Sequence, residues 1–117
     1  MALKDQILHN PRCSKSRDAL QLLKDRGVEL PVVEYLKTPL KQDQLRELCW
    51  LLDVSPSAIV RTGEALFKQL KLRPKGLSDE QWLDILAEHP LLMERPIVVY
   101  RGRAVIGRPP EEVLKLL

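Results

Sequence analysis

The residue with the clearest chemical potential is Cys13, in the segment His9-Asn10-Pro11-Arg12-Cys13-Ser14-Lys15-Ser16-Arg17. The apolar pair Ile7-Leu8 precedes this segment and a helical pattern follows it, which predicts a thiol at a strand-to-helix turn. A helix start presents unpaired backbone N–H groups and the positive end of the helix dipole, and Lys15 and Arg17 add cations within one turn. All of these favour the thiolate, which is the nucleophilic form of cysteine. The same N–H groups could also hold an oxyanion.

Three arginines stand at the ends of predicted elements, where side chains can reach a site. Arg61 ends an apolar helical turn, Arg95 precedes a predicted strand, and Arg108 lies between a predicted hairpin and the last helix. If they converge on Cys13, their forked donors would form a pocket for a tetrahedral or trigonal oxyanion. An arginine at an element end is more often a solvated surface residue, and this alternative applies to each of the three separately. The substrate predicted from this pattern is an inorganic oxyanion.

Spacing separates this pattern from other thiol chemistries. A low-molecular-weight tyrosine phosphatase loop needs an arginine six residues after its cysteine, where this chain has Ala19. A dithiol motif needs a second cysteine at the position of Ser16, so a monothiol mechanism is implied, resolved by another molecule or by Cys49. Cys49 lies on an apolar helical face, which is more typical of a small buried hydrophobe. His9 could tune the thiolate, and a structural hydrogen bond is an equal alternative.

Length and composition bound the class of protein. A chain of 117 residues with 44% hydrophobic residues suits one globular domain, so we expect residues 1–117 to form a single domain. A net charge of +3 and 4% aromatic residues argue against a nucleic-acid partner. Two histidines and two cysteines without zinc spacing argue against a metal site.

The same composition predicts a location. No apolar stretch approaches the roughly 18 residues of a membrane span, and the start of the chain lacks the apolar run of a signal peptide. We therefore expect a cytoplasmic protein without a membrane partner, and we expect it to be a monomer.

The elements around Cys13 follow from apolar periodicity. A short strand at Ile7-Leu8 is followed by a helix from Lys15 to Arg26, which stops at Gly27. The β-branched run over residues 31–35 predicts a second strand. Together these elements predict a parallel β-α-β unit.

The rest of the chain predicts an insertion and a hairpin. Residues from about 40 to 90 show helical patterns only, with helix starts at Ser55-Pro56 and at the capping box Ser78-Asp79-Glu80-Gln81. Residues 97–106 predict a hairpin around a glycine turn, and a last helix begins at Arg108-Pro109-Pro110. Four apolar residues of that helix are expected to pack on the sheet, namely Val113, Leu114, Leu116 and Leu117. The order is that of an α/β, thioredoxin-like β-α-β...β-β-α core with an all-helical insertion before the hairpin.

At this level of detail the sequence resembles a known family, the glutaredoxin-linked arsenate reductases of thioredoxin-like fold, and most closely its short branch. The resemblance extends over nearly the whole chain. It is carried by His9 to Arg17, Ile59-Val60-Arg61, Arg95-Pro96-Ile97-Val98-Val99 and Arg108-Pro109. One departure is that Arg12 and Lys15 stand where other members have small residues.

The resemblance implies roles for the residues named above. Cys13 would attack arsenate held by the triad Arg61, Arg95 and Arg108. Glutathione, as co-substrate, would attack the Cys13-bound arsenic, and glutaredoxin would reduce the adduct and release arsenite, with no bound cofactor. The resemblance further assigns His9 to lowering the pKa of the thiol, Ser16 and Arg17 to substrate binding, and a cis peptide bond to Arg95-Pro96.

Two other functions stay open at this stage. One is a redox regulator or adaptor, because a related branch of the same fold binds RNA polymerase; its switch generally uses a cysteine pair where this chain has Cys13 and Ser16. The other is a monothiol oxidoreductase acting on glutathionylated proteins, which would not depend on Arg61 and Arg108.

Overall fold

The computed structural model describes residues 3–117. The chain forms two compact units, one containing the chain up to Thr38 together with Arg95–Leu117, and the other containing Pro39–Glu94. These boundaries lie close to those expected for the helical insertion, while the single domain over residues 1–117 stays a prediction. Within residues 3–117 no helix is long and apolar enough to cross a membrane.

The first unit is built on a sheet of four strands. They are β1 (Gln6–His9), β2 (Val32–Glu34), β3 (Ile97–Tyr100) and β4 (Arg103–Ile106), in the spatial order β2-β1-β3-β4. β1 is parallel to β2 and antiparallel to β3, and β3 is antiparallel to β4. The parallel pair and the hairpin that the sequence predicts are confirmed, and so is the thioredoxin-like α/β class.

Helix α1 (Ser14–Asp25) connects β1 to β2. It begins one residue earlier than predicted, and Gly27, at φ 75°, lies just beyond its end. Glycine adopts this left-handed conformation without steric cost, which explains why the helix stops there. Ala19 and Leu23 are buried on its inner face, so the helix covers the sheet strand that leads to Cys13.

The last helix is a 3₁₀ helix over Pro110–Leu116. With three residues per turn, Val113 and Leu116 lie on one face, and both are buried in the core. Leu114 packs against the same core at its edge. Leu117 was expected to pack on the sheet, but its side chain is 48% exposed because the helix has ended before it. The core of this unit contains Ile7, Ala19, Leu23, Val98, Val113 and Leu116.

The second unit is mainly helical. Its α-helices are α2 (Gln42–Leu52), α3 (Ala65–Gln69) and α4 (Asp79–Glu88), with 3₁₀ turns at Pro56–Ile59, Pro74–Gly76 and Pro90–Leu92. The capping box before α4 is confirmed, since the Gln81 N–H donates to Ser78 Oγ at 3.2 Å and the Ser78 N–H donates to Gln81 Oε1 at 2.8 Å. An isolated antiparallel bridge joins Val60 to Met93, and no strand lies between β2 and β3 in the described chain, as the sequence predicts. Ser55 caps a 3₁₀ turn without a side-chain hydrogen bond.

Candidate functional site

Cys13 stands between the carboxyl end of β1 and the start of α1. Its N–H donates to the Asn10 carbonyl at 3.0 Å, and its own carbonyl accepts from the Arg17 N–H at 3.0 Å, which makes Cys13 the N-cap of α1. The side chain is partly exposed and forms no disulfide. Cys13 is therefore a partly exposed residue at the positive end of a helix.

The pKa of Cys13 is lowered from its ordinary value. Burial is the largest single influence and raises the pKa, but the combined stabilisation of the thiolate outweighs it. The stabilising groups are the backbone N–H of Ser16, the Arg95 guanidinium, which contributes a hydrogen bond and its charge, and the backbone N–H of Lys15. The thiol is therefore a stronger acid than a free cysteine, as a nucleophile at neutral pH requires.

Two of the three predicted arginines lie beside the sulfur. Arg108 Nη1 lies 3.9 Å from Cys13 Sγ and donates to the Arg95 carbonyl at 3.3 Å. The Arg95 side chain hydrogen-bonds Cys13 as well. The peptide bond Arg95-Pro96 is cis, which confirms that expectation, and Arg108-Pro109 is also cis, which the sequence analysis did not predict. The first unit thus brings two guanidinium groups into contact with one nucleophile.

Arg61 belongs to the second unit. Its Nε donates to Glu64 Oε1 at 3.0 Å, its Nη1 lies 4.0 Å from Glu94 Oε1, and its side chain is 21% exposed. The backbone N–H of Arg61 donates to the Leu92 carbonyl at 2.6 Å. The side chain is therefore held in position by two carboxylates, and its part in binding an oxyanion stays a prediction.

Ser16 is fully buried, in the interior of the Cys13 loop. Its Oγ accepts from the Asn10 N–H at 3.1 Å and lies 2.6 Å from His9 Nδ1. The hydroxyl is therefore engaged within the protein and does not face solvent, and the role of Ser16 in substrate binding stays a prediction. It is the backbone N–H of Ser16 that faces the sulfur of Cys13.

His9 is buried, and its pKa is lowered. Burial is the main cause, Glu34 opposes it, and the charges of Arg17 and Lys24 reinforce it. The ring is consequently neutral at pH 7, so it cannot lower the pKa of Cys13 by a positive charge of its own. Its contact with Ser16 supports the structural alternative that the sequence left open.

Arg17 and Asn10 close the loop from its two sides. Arg17 is exposed, and its Nη1 donates to the Pro11 carbonyl at 2.8 Å; its role in substrate binding stays a prediction. Asn10 Oδ1 accepts from the Arg12 N–H at 3.0 Å, an Asx turn that the sequence analysis did not single out. The Asn-Pro dipeptide was the available signal, because such pairs often begin turns.

Comparison with known proteins places these features in a family. Residues 8–116 match the model of the ArsC family. The chain belongs to the ArsC family. An Escherichia coli K12 protein named "Uncharacterized protein YfgD" is 48% identical to this ArsC-family chain and aligns with 100% of it and 99% of the relative.

Other relatives carry an enzyme name. A Neisseria meningitidis protein named arsenate reductase is 42% identical, over 96% of this chain and 97% of its own length. The solved structure of an arsenate reductase from Vibrio cholerae is 44% identical, with a TM-score of 0.93 and 100% of both chains covered. The fold is thus shared along the whole length of this ArsC-family protein.

The second cysteine of this ArsC-family protein has a different environment. Cys49 is 4% exposed, on the buried face of α2. Burial, reinforced by the charge of Asp79, raises its pKa to about 11. It is therefore protonated at neutral pH and is a poor nucleophile, as expected of a buried hydrophobe.

Gly107, directly before Arg108, is a position that the sequence analysis did not single out. A Cβ there would lie 2.9 Å from Pro96 Cγ and 3.0 Å from Val113 Cγ1. Its N–H donates to the Pro96 carbonyl at 2.8 Å. The close approach that places Arg108 beside the Arg95-Pro96 peptide therefore requires a residue without a side chain.

Proposed function

We propose that this ArsC-family protein reduces arsenate to arsenite, with Cys13 as the nucleophile. The observation that carries the proposal is the acidic Cys13 thiol with the Arg108 guanidinium 3.9 Å from its sulfur. Relatives named arsenate reductase, 42% and 36% identical to this chain, support arsenate as the substrate.

The first step is capture and attack. Arg95 and Arg108 hold the oxygens of arsenate through charged hydrogen bonds, and Arg61 is proposed as the third arginine of this set. The backbone N–H groups of Ser16 and Lys15 stabilise the thiolate until the sulfur bonds to arsenic. One arsenate oxygen leaves as water, after taking up a proton, and arsenic remains in the +5 state.

The second step is reduction by external thiols. The glutathione sulfur displaces a second oxygen as water, so arsenic carries the sulfurs of both Cys13 and glutathione. A glutaredoxin thiolate then attacks the glutathione sulfur, a mixed disulfide forms, and the As–S electron pair stays on arsenic, which becomes arsenic(III). Water releases arsenite and restores the Cys13 thiol. In total, two thiols lose two electrons, arsenic gains two, and one water forms.

The need for an external thiol follows from the two candidate internal partners. Ser16 occupies the position of a second cysteine, and Cys49 is buried with its pKa raised to about 11. Neither can resolve the Cys13 adduct readily. We further propose that the protein works in the cytoplasm, because glutathione and glutaredoxin are kept reduced in that compartment. We also propose that it works as a monomer.

The test is NADPH consumption in a mixture of arsenate, glutathione, glutaredoxin and glutathione reductase. We expect saturable turnover that disappears in Cys13→Ser and falls at least tenfold in Arg95→Ala, about 1.4 kcal/mol of lost stabilisation. Two matched controls should retain turnover, Cys49→Ser and Arg46→Ala; Arg46 is an exposed arginine paired with Glu80. Replacing glutaredoxin and glutathione by thioredoxin should abolish turnover.

A second candidate is a monothiol oxidoreductase that removes glutathione from proteins, and the partly exposed, acidic Cys13 also suits that reaction. Its activity would survive Arg61→Ala and Arg108→Ala, whereas arsenate reduction would not. Absence of arsenate turnover in a protein whose Cys13 still alkylates as an acidic thiol would refute the reductase. It would favour this second candidate or a redox regulator.

A further inference from the structure

Arg12 and Lys15 are exposed cations on either side of Cys13. Among residues 3–117 neither side chain forms an ion pair or a hydrogen bond, and Arg12 contributes only its backbone N–H, to Asn10 Oδ1. Both charges are therefore available to a ligand that arrives from solution.

The other cations of the loop are already engaged. The Arg17 guanidinium donates to the Pro11 carbonyl, and Arg108 contacts the Arg95 carbonyl and the sulfur. Residues 9–17 contain no Asp or Glu, and the first turn of α1 contains none either. The segment around Cys13 therefore carries an excess of positive charge, and the nearest acid in the sequence, Asp18, forms no ion pair with Lys15 among the described residues.

We propose that Arg12 and Lys15 dock the carboxylates of the thiol that reacts at Cys13, and so select an anionic peptide thiol of the glutathione type over neutral or cationic thiols. The identity of this thiol as co-substrate rests on the proposed function. The selection itself is a property of the Cys13 surroundings and can be measured without arsenate.

The geometry of the reaction supports this assignment. An incoming thiol must bring its sulfur to bonding distance of the Cys13 sulfur or of an atom bound to it, so the rest of a tripeptide lies over the neighbouring residues. Guanidinium and ammonium groups are good partners for carboxylates. Arg12 and Lys15 are the cations that flank the sulfur in the sequence, and they are outside the set proposed to hold the oxyanion.

The expected size of the effect is modest because both side chains are exposed. An exposed charge pair changes a rate or binding constant by about threefold, and two such pairs by about tenfold. The effect should weaken as salt increases, because the screening length falls to about 10 Å at 0.1 M.

The experiment measures thiol–disulfide exchange at Cys13 with three disulfides of different charge. The Cys13 thiolate attacks one sulfur, a mixed disulfide forms, and the other half leaves as a thiolate. The probes are glutathione disulfide, which carries a net negative charge, neutral 2-hydroxyethyl disulfide, and cystamine, a dication. Mixed-disulfide formation is followed by mass spectrometry. The ratio of rate constants for two probes cancels any change in the nucleophilicity of Cys13 itself.

The double variant Arg12→Gln/Lys15→Gln should lower the preference for glutathione disulfide over the neutral probe by about tenfold, and each single variant by about threefold. Arg12→Glu/Lys15→Glu should reverse the preference toward cystamine, a gain that misfolding cannot produce. The matched control is Lys4→Gln/Arg101→Gln, which also removes one lysine and one arginine. Lys4 precedes β1 and the Arg101 N–H bonds Asp5, so both lie at the opposite end of the strand from Cys13. This control should keep the wild-type ratio.

An unchanged ratio in the double variant, or an equal fall in the control, would overturn the docking site. Failure of the proposed function is a separate result. If arsenate is not reduced, but the preference for glutathione disulfide over the neutral probe still falls only in the Arg12 and Lys15 variants, the docking site is supported and the proposed arsenate reduction is refuted. The opposite result is also possible. If the protein reduces arsenate, and the double variant keeps the wild-type ratio of turnover with glutathione to turnover with 2-mercaptoethanol, only the docking site is overturned.

Discussion

The Ser16 hydroxyl lies 2.6 Å from His9 Nδ1, in the buried interior of the loop that carries Cys13. The same oxygen accepts from the Asn10 N–H, so one side chain joins the last residue of β1, the loop and the first turn of α1. This contact holds the Ser16 backbone where its N–H stabilises the thiolate. The acidity of the thiol therefore depends on loop geometry and on Arg95, without a charge on His9.

Replacing Ser16 by alanine should affect stability and acidity together. Ser16→Ala leaves the buried Asn10 N–H without its acceptor, so the free energy of unfolding should fall by about 1–3 kcal/mol. The Cys13 pKa should rise, because the N–H groups at the sulfur lose their support. Urea unfolding and iodoacetamide alkylation against pH measure the two effects. Ser14→Ala, at an exposed position one residue after Cys13, should change neither; a Ser16→Ala protein with wild-type values would contradict the loop's role.

The buried His9 should make the protein less stable in mild acid. Its pKa in the folded state is lowered, so the unfolded chain, with a pKa of about 6.5, takes up a proton first as the pH falls. The stability that the neutral ring contributes is present above about pH 6.5 and is lost as the pH falls through the folded pKa. Urea midpoints between pH 7.5 and 5 should show this loss in the native protein and in His89→Gln, but much less in His9→Gln. The same pH dependence in all three would exclude His9 as its source.

The Arg95 guanidinium should account for part of the acidity of Cys13. Removing it in Arg95→Ala takes away both a hydrogen bond and a positive charge at the sulfur, so the Cys13 pKa should rise. The pH dependence of alkylation by a neutral reagent reports this shift directly. Arg103→Ala, at an exposed arginine bonded to the Lys115 carbonyl, is the control and should leave the profile unchanged. An unshifted profile in Arg95→Ala would mean that the backbone N–H groups alone account for the lowered pKa of Cys13.

Gly107 should tolerate no side chain. The Cβ of Gly107→Ala would press on Pro96 and Val113, and relieving this overlap should cost about 1–3 kcal/mol of unfolding free energy. Arsenate turnover should fall as well, because Arg108 follows directly. Gly63→Ala is the matched control, since nothing lies within 4 Å of its Cβ position. Equal thermal midpoints for the two variants would show that the segment adjusts freely.

The two cysteines should differ sharply toward alkylating reagents. In the native protein at pH 7.5, iodoacetamide should modify Cys13 rapidly and leave Cys49 untouched, because Cys49 is 4% exposed and its pKa is raised to about 11. In urea both should react. Peptide mass spectrometry distinguishes the two sites, and rapid native labelling of Cys49 would reopen its part in the chemistry.

Much of the fold was predictable because it depends on local pattern. The strands on either side of α1, the hairpin and the Ser78 capping box all follow from apolar spacing, turn residues and caps, which act over a few residues. The 3₁₀ form of the last helix and the exposure of Leu117 were not predictable in this way. They depend on which face the sheet covers, and that is a tertiary property.

The candidate site was predictable in its chemistry and less so in its interior. Cys13, Arg95 and Arg108 were identifiable from residue type and position at element ends. The placement of Ser16 inside the loop was not, because a serine near a helix start suits solvent, a cap or a buried bond equally well until the chain is folded. The close approach at Gly107 likewise depends on residues that are distant in sequence.

The serine at position 16, bonded to His9, also bears on where the electrons of the reaction come from. A serine hydroxyl cannot form a disulfide, and the Ser16 hydroxyl is bonded within the loop, so Cys13 has no resolving thiol at that position. Under the proposed function, both electrons of every turnover come from external thiols, those of glutathione and glutaredoxin. The rate should then follow the ratio of reduced to oxidised glutathione around the protein, and detoxification would slow during oxidative stress even with arsenate in excess.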